Sequence, residues 1–599
     1  VERVSDPLRP GQRPGPLDLT DCGYEIRWPV EPRPAAPASD SGRWLVLGAP
    51  PVDLAEAFAA RGQSVECAEE FRAGEWRGVM FWAGAASGEI ETARLVRATQ
   101  APAAPLAIVT CGAIAVAPAE GRALRLDHAP LWGVGKVFAL EHPERWRALI
   151  DLPAQPARAD FAALVGELLS GSAGEEQIAL RGGTRHVARL ERAPLTDLAN
   201  PLKLRPDAAY WVTGGTGALG LQVARWLVSR GARQLVLTAR RTSSPAELEE
   251  FRAAGADVRV LAADVAEPAD VQRVLGVIAR GLGPLRGIVH AAGRLGREPL
   301  ATLTSAALAD VLRPKLAGTR ALQAATEALP LDFFVLFSSI ASVWGAKGQA
   351  HYAAANQALD AFAQQQRAHG RPVWCVNWGP WSGGGMAGAA EQTLLARYGI
   401  ATLEPASALQ ALERILAGDV PQRVVARIDW RVFKDFFELR GAKPLLANVA
   451  ASASAAGPAG RAAEVESLAH APAADRKARL EAYLQTQVAA ALGFKDGRRP
   501  DLRQGFFALG MDSMIAVDLR QRLARAFARN LPSTLVFDHA NIRLLADYLA
   551  NEVLGWGESA AVARAAAVPA TEPVPADETD LEAALARRLQ RLESLIRDP

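Results

Sequence analysis

Two kinds of hydrophobic patterning divide the chain. Over most of its length, short apolar runs alternate with stretches whose apolar residues recur at three and four positions. The runs "RWLVLGAP" (43–50), "GVMFWAGA" (78–85), "PLAIVTCGA" (105–113) and "ALIDLPA" (148–154) have strand length. They return in the same order as "AYWVTGGTGALG" (209–220), "GIVHAAGR" (287–294), "DFFVLFSSIA" (332–341) and "WCVNWGP" (374–380). Continuous apolar strands joined by helical segments predict parallel βαβ sheets buried on both faces. The order of the runs predicts one such fold repeated twice. The copies differ in chemistry: "LGAPP" stands where the second has "TGGTGALG", and Cys111-Gly112 where the second has Ser338-Ser339. Residues 1–204 therefore read as a degenerate, structural copy and 205–446 as the working one.

Near residue 475 the pattern becomes purely helical. "RKARLEAYLQTQVAAALGF", "SMIAVDLRQRLARAF" and "IRLLADYLANEVL" predict a small helix bundle over 475–556. Ala/Pro/Ser-rich segments at 447–474 and 557–579 read as flexible linkers. The last segment, 580–599, places Leu581, Leu585, Leu589, Leu592 and Ile596 on one helical stripe. A single helix cannot bury such a face alone.

Composition narrows the function. With 22% charged residues and a net charge of +2, there is no basic field for nucleic acid or an anionic membrane. No apolar run reaches the roughly 18 residues of a bilayer span. Four scattered cysteines, none in C-x-x-C spacing, argue against structural zinc or a disulfide framework and fit a reducing cytoplasm. The opening residues lack a signal-peptide pattern and an initial methionine, and read as the cut end of a longer polypeptide.

Gly215-x-Gly217-x-x-Gly220 follows a strand and precedes a helix, as a pyrophosphate-binding loop requires. An NAD site would place an acid at the end of the next strand, "QLVLTARR". Arg240 and Arg241 stand there instead, and guanidinium groups suit the 2′-phosphate of NADPH. Asp264, at a third strand end, is placed to bond adenine or to cap a helix. Gly214, Thr216 and Leu219 of the loop, Val265, and Ala291, Ala292 and Gly293 belong to the same expected site.

The run "VLFSSIASVWGAKGQAHYAAANQALDAF" carries candidate chemistry. Ser339 precedes Tyr352 by 13 residues, Asn356 follows it by one helical turn, and Lys315 lies 24 residues before Ser339. A tyrosine hydroxyl titrates near ~10, so proton exchange at neutrality needs a nearby cation, which Lys315 would supply. Ser339 would bond the oxygen of a carbonyl under reduction while Tyr352 protonates it.

These motifs resemble the ketoreductases of bacterial type I modular polyketide synthases, a branch of the short-chain dehydrogenase/reductases, over roughly 24–445. The family's displaced lysine is matched by Tyr352-x-x-x-Asn356 with Lys315. The resemblance implies an α/β fold of two Rossmann-like subdomains, one degenerate and one catalytic. "NWGPW" (377–381) and Met386 match the mobile region over nicotinamide and substrate, although Trp378 and Trp381 read equally as core. Trp344, eight residues before Tyr352, accompanies the family's A-type outcome, an L-configured hydroxyl. The acids of the opposite type's Leu-Asp-Asp run are missing from Leu295-Gly296-Arg297, and Gln349 replaces the histidine that marks an epimerised α-carbon.

"GFFALGMDSMIAV" resembles the acyl carrier protein signature, whose serine bears 4′-phosphopantetheine. That assigns attachment to Ser513, framed by Asp512 and Met514 and supplied by a separate phosphopantetheinyl transferase. The resemblance also implies upstream ketosynthase and acyltransferase domains or subunits. It further implies a downstream synthase subunit reached through the terminal helix. A stand-alone reductase of free ketones and a non-catalytic scaffold with a carrier module are the rival readings, and a fatty-acid-type synthase fragment stays open.

Overall fold

The structure, a computed structural model, describes residues 19–33, 41–101, 105–196, 198, 202–241, 248–384, 388–439, 441–449, 465, 468, 471–492, 494, 499–511, 513–529, 531–532 and 534–556. Contacts divide the chain into two compact units, Val1–Ala455 and Ala456–Pro599.

The first unit holds both copies of the repeat. The N-terminal sheet has seven strands in the order Gln63–Ala68, Gly42–Leu47, Gly78–Trp82, Leu106–Cys111, Trp146–Leu152, Gln177–Arg181, Thr184–Val187, and only the last pair is antiparallel. Its strands read as unbroken apolar runs because both faces are covered. Leu45, Leu47, Val79, Phe81 and Ile108 enter one core, while their neighbours Trp44, Val46, Met80 and Val109 enter another.

The second sheet repeats this logic. Asp257–Ala262, Gln234–Ala239, Ala209–Thr213, Leu285–His290, Phe333–Ser339, Val373–Trp378 and Gln422–Val425 pair in parallel, in that order. Tyr210, Val212, Leu235 and Val289 face one core; Trp211, Val236 and Ile288 face the other. Two further strands complete the sheet. Gly23–Arg27 pairs antiparallel with Gln422–Val425, and Arg189–Arg192 with Gly23–Arg27. Both lie before residue 204, so part of the N-terminal copy is built into the working sheet.

The two copies also touch through helices. Helix Ala129–Glu141 packs on helix Ala350–Ala368 so closely that a Cβ on Gly133 would stand 2.3 Å from the Ala354 nitrogen. The alanines after Tyr352 allow that approach.

The second unit is helical, with helices Ala473–Ala491, Ser513–Phe527, Leu535–Asp538 and Ile542–Tyr548 around Leu480, Leu484, Phe506, Leu519, Leu523 and Leu545. Val465 and Leu468, within the segment read as linker, are buried in this core. Their alanine-rich surroundings hid two anchors. Val449, at the other end of that segment, packs in the first unit. The remainder of 450–470, the second linker and the terminal helix at 580–599 lie outside the described residues. Among the described residues, no helix is long and apolar enough to cross a membrane.

Candidate active site

The loop after strand Ala209–Thr213 turns at Gly214, whose φ of 68° lies in the left-handed region. Its other glycines are needed for different reasons. A Cβ on Gly215 would stand 2.7 Å from the Val212 oxygen, and one on Gly220 2.3 Å from the Gly214 oxygen. Packing therefore excludes a side chain at both. A Cβ on Gly217 meets only the Gly214 oxygen, at 3.3 Å, and otherwise faces open space. That space is a cleft of about 420 Å³. Gly217 caps helix Ala218–Ser229, so the amides at that helix start border the cleft, as an anion site requires.

All the expected cofactor residues line this cleft except Gly215, which packs beneath the loop, and Arg241, which is exposed. Arg240 alone therefore faces the cleft. Asp264 is not the helix cap: Glu267 holds the N-cap position of helix Pro268–Gly281, without a side-chain hydrogen bond. Asp264 accepts instead from the Ala266 amide at 3.0 Å and from Arg313 at 2.6 Å. Partial burial works against its charge, but these donors and the nearby Arg240 hold the carboxyl below the usual range. Thr213, Arg294 and Pro314 also line the cleft and were not foreseen. Thr213 ties the cleft floor together, its hydroxyl 2.7 Å from His290 Nδ1 and accepting from the Ala292 amide at 3.4 Å.

The fit to NADPH is good on these observations. A glycine cradle at a helix start receives the pyrophosphate, and a guanidinium rather than an acid ends the second strand. Arg240→Ala is expected to raise the KM for NADPH about tenfold and leave that for NADH nearly unchanged, while Arg241→Ala changes both less. Initial rates with each cofactor check this.

Ser339 ends strand Phe333–Ser339, level with Trp378 on the next strand. Tyr352 lies in the first turn of helix Ala350–Ala368 and is buried. Burial pushes its hydroxyl up, and the Ser339 and Asn356 side chains beside it pull it back down. Asn356 Nδ2 donates to the Tyr352 carbonyl at 2.7 Å, leaving its Oδ1 buried without a hydrogen-bond partner. The geometry thus joins Ser339, Tyr352 and Asn356.

Lys315 lies on helix Ser305–Thr326. Its ammonium donates to the Phe337 carbonyl at 2.7 Å, and burial pushes it down to about 8. It reaches the site under Gly293: a Cβ there would stand 2.9 Å from Lys315 Cε.

Trp344 is 5% exposed and packs against Phe433 at 5.1 Å and Trp430 at 6.2 Å, centroid to centroid. It does not line the cofactor cleft. Any influence on substrate must pass through the loop it anchors rather than through an exposed indole wall. Trp378 and Trp381 are core: they meet edge to face at 5.1 Å and both contact Phe337. Gly296 runs beside the residue before the tyrosine, where a Cβ would overlap the His351 ring, and Arg297 pairs with Glu391. Met386 lies outside the described residues. Among the described residues, no cluster of side chains could hold a metal ion.

In the second unit, Ser513 is the first residue of helix Ser513–Phe527, just after a turn in which Gly510 takes φ 90°. Asp512 is outside the described residues.

A doubly wound sheet with a glycine cradle at its strand ends defines a nucleotide-binding oxidoreductase, and comparison with known proteins sharpens that class. The family model for the KR domain matches residues 208–383. The Rossmann fold domain of polyketide synthase extender module SpnB matches 26–190, and the phosphopantetheine attachment site matches 482–549. Pikromycin polyketide synthase component PikAIII of Streptomyces venezuelae is 36% identical over 576 residues, which are 90% of this chain and 37% of that protein. The chain spans 37% or less of the length of the curated relatives it matches. Among solved structures, the ketoreductase PlmKR1 from the first module of phoslactomycin biosynthesis in Streptomyces sp. HK803 is 33% identical with a TM-score of 0.65. The match covers 72% of this chain and 99% of that one. An A1-type ketoreductase is 31% identical with a TM-score of 0.63, over 72% and 98%. The chain belongs to the ketoreductases of bacterial modular polyketide synthases, fused to a phosphopantetheine carrier domain. It is an NADPH-dependent ketoreductase.

Proposed function

We propose that this chain reduces a β-ketoacyl thioester, carried on a phosphopantetheine arm at Ser513, to the β-hydroxyacyl thioester during polyketide assembly. The observation that carries the reading is the convergence of Ser339, Tyr352 and Asn356 at the strand ends beside the NADPH cleft, in a chain that also holds a carrier domain.

NADPH supplies the hydride when bound. As charge grows on the carbonyl oxygen, the Ser339 hydroxyl donates a hydrogen bond to it. Tyr352 transfers its proton to the same oxygen. Asn356 holds the tyrosine's turn of helix through the Tyr352 carbonyl, and its free Oδ1 offers an acceptor for the proton path. Lys315, beneath Gly293, adds positive charge to the floor of the site.

Attachment at Ser513 requires exposure at a helix start rather than a catalytic base, because a phosphopantetheinyl transferase performs the chemistry. Upstream ketosynthase and acyltransferase domains would deliver the ketoacyl chain, and a downstream subunit would receive the product. The chain's short coverage of its relatives leaves room for those domains. We place the domain boundaries at 204, 446, 556 and 579, and move the start of the carrier from 475 back to Val465, which is buried with Leu468 in its core.

The stereochemical reading is A-type, an L-hydroxyl without epimerisation. It rests on Trp344, on the missing acids at Gly296 and Arg297, and on Gln349. Overall fold does not discriminate, since A1-type and C2-type relatives align with TM-scores of 0.63 and 0.62. Incubating the chain with NADPH and a β-ketoacyl thioester, followed by chiral chromatography, tests activity and configuration together. An L-hydroxyl product is expected. A D-hydroxyl would refute the A-type reading, and no reduction would refute the function.

A further inference from the structure

The buried polar groups behind the site converge on one carboxylate that the proposed chemistry does not use. Asp360 lies on the helix that carries Tyr352, two turns beyond it, and is 1% exposed. Asn377 Nδ2 stands 2.9 Å from both its oxygens, Cys375 Sγ 3.2 Å from Oδ1, and the Ser342 hydroxyl 2.7 Å from Oδ2. Ser342 follows Ser339 by three residues, and Asn377 faces Ser338 across the sheet. Ser342 Oγ is also 2.8 Å from the Ser339 carbonyl, and Asn377 Nδ2 reaches Ser338 Oγ at 3.1 Å. Gln422 holds the other end of Asn377, donating to Oδ1 at 3.1 Å.

Two buried lysines bond groups beside this carboxylate's partners. One is Lys315. The other is Lys136, from the N-terminal copy, whose ammonium donates to Gln357 Oε1 at 2.7 Å and to the Ser342 carbonyl. Burial pushes each lysine down to about 8; Cys375 and then Asp360 oppose it at Lys315, and Asp360 opposes it at Lys136. The groups facing Lys315 come from three elements: Asp360 on its helix, Cys375 on strand Val373–Trp378, and His290 on strand Leu285–His290. His290 is pushed down to about 3 by burial and by Lys315, and is neutral. The Cys375 thiol is pushed up by burial and by Asp360, and is neutral too. Burial pushes the Asp360 carboxyl up as well, and the Ser342, Ser338, Cys375 and Asn377 side chains around it pull it back down.

We propose that Asp360 is a positioning residue for carbonyl reduction: through Ser342 and Asn377 it holds the turn that carries Ser339. Lys136 bonds the Ser342 carbonyl and Gln357 beside this network, so the N-terminal copy contributes a side chain to the rear of the working site. The inference rests on the roles assigned above to Ser339 and Tyr352.

The test uses the full chain with NADPH and a diffusible β-ketoacyl thioester. Asp360→Asn, Ser342→Ala and Tyr352→Phe are compared with the unaltered protein. For Asp360→Asn, kcat is expected to fall by about 10- to 100-fold, with the NADPH KM changed by less than about twofold. A purely structural role would reduce the folded fraction, which circular dichroism and the concentration of NADPH-binding sites read. Unchanged kcat per folded site, or a kcat loss fully matched by the loss of folded fraction, overturns the inference. If Asp360→Asn does not fold, Ser342→Ala decides, since it cuts one link and keeps the charge. A kcat loss of about 3- to 10-fold at unaltered NADPH KM supports the inference, and an unaltered kcat overturns it. Substantial turnover by Tyr352→Phe would instead remove the reading beneath it.

Discussion

Tyr352→Phe is expected to lower kcat/KM for a β-ketoacyl thioester by about 10³-fold while NADPH binds as before. The substitution removes one hydroxyl from a ring that is 7% exposed and packed in the core between the two copies. The ring's packing survives, so folding is retained. What disappears is the proton donor between Ser339 and Asn356. Ser339 keeps one hydrogen bond to the growing oxyanion, which accounts for residual activity, and Ser339→Ala in the same background should lower it further. Stopped-flow reduction with NADPH fluorescence separates binding from turnover. A Tyr352→Phe enzyme with more than about a tenth of normal activity would move the donor elsewhere.

Ser513→Ala is expected to abolish attachment of the phosphopantetheine arm and with it every turnover of carrier-bound substrate. Reduction of a diffusible thioester should continue at the normal rate, because the two compact units fold on separate cores. The helix it begins keeps its start, since the preceding turn is made by Gly510. Mass spectrometry after incubation with a phosphopantetheinyl transferase and coenzyme A reads the loss directly. An arm found on another residue of the variant would overturn the assignment.

The features legible in the sequence were those written locally. The glycine loop, the strand ends and the spacing from Ser339 to Tyr352 are each contained in one short stretch of chain, and periodicity placed the strands that carry them. Pairing over long separations was not legible. Nothing near Gly23 announces that it lies opposite Val425, and this strand carries part of the N-terminal copy into the working sheet. The reach of Lys136 to Gln357 is invisible for the same reason. It depends on Gly133 letting two helices touch, and the sequence shows the small residues without showing what they meet. Adjacent arginines looked equivalent as charges, yet only Arg240 faces the cleft. Trp344 looked like a wall of the substrate site. Trp430 and Phe433, far along the chain, draw it into a core instead. Val465 and Leu468 were lost in low-complexity surroundings, because composition averages over the one or two residues that anchor a helix.

The central claim is that a ketoacyl group held on this chain's own carrier is reduced at this chain's own Tyr352 site. Intact-protein mass spectrometry tests it most directly. The chain is loaded by a phosphopantetheinyl transferase with a β-ketoacyl-coenzyme A and then given NADPH. The account predicts a gain of one ketoacyl-phosphopantetheine, followed by a further gain of two hydrogens that fails to occur in the loaded Tyr352→Phe variant. Loading without that second gain in the unaltered protein, or its persistence in Tyr352→Phe, would contradict it.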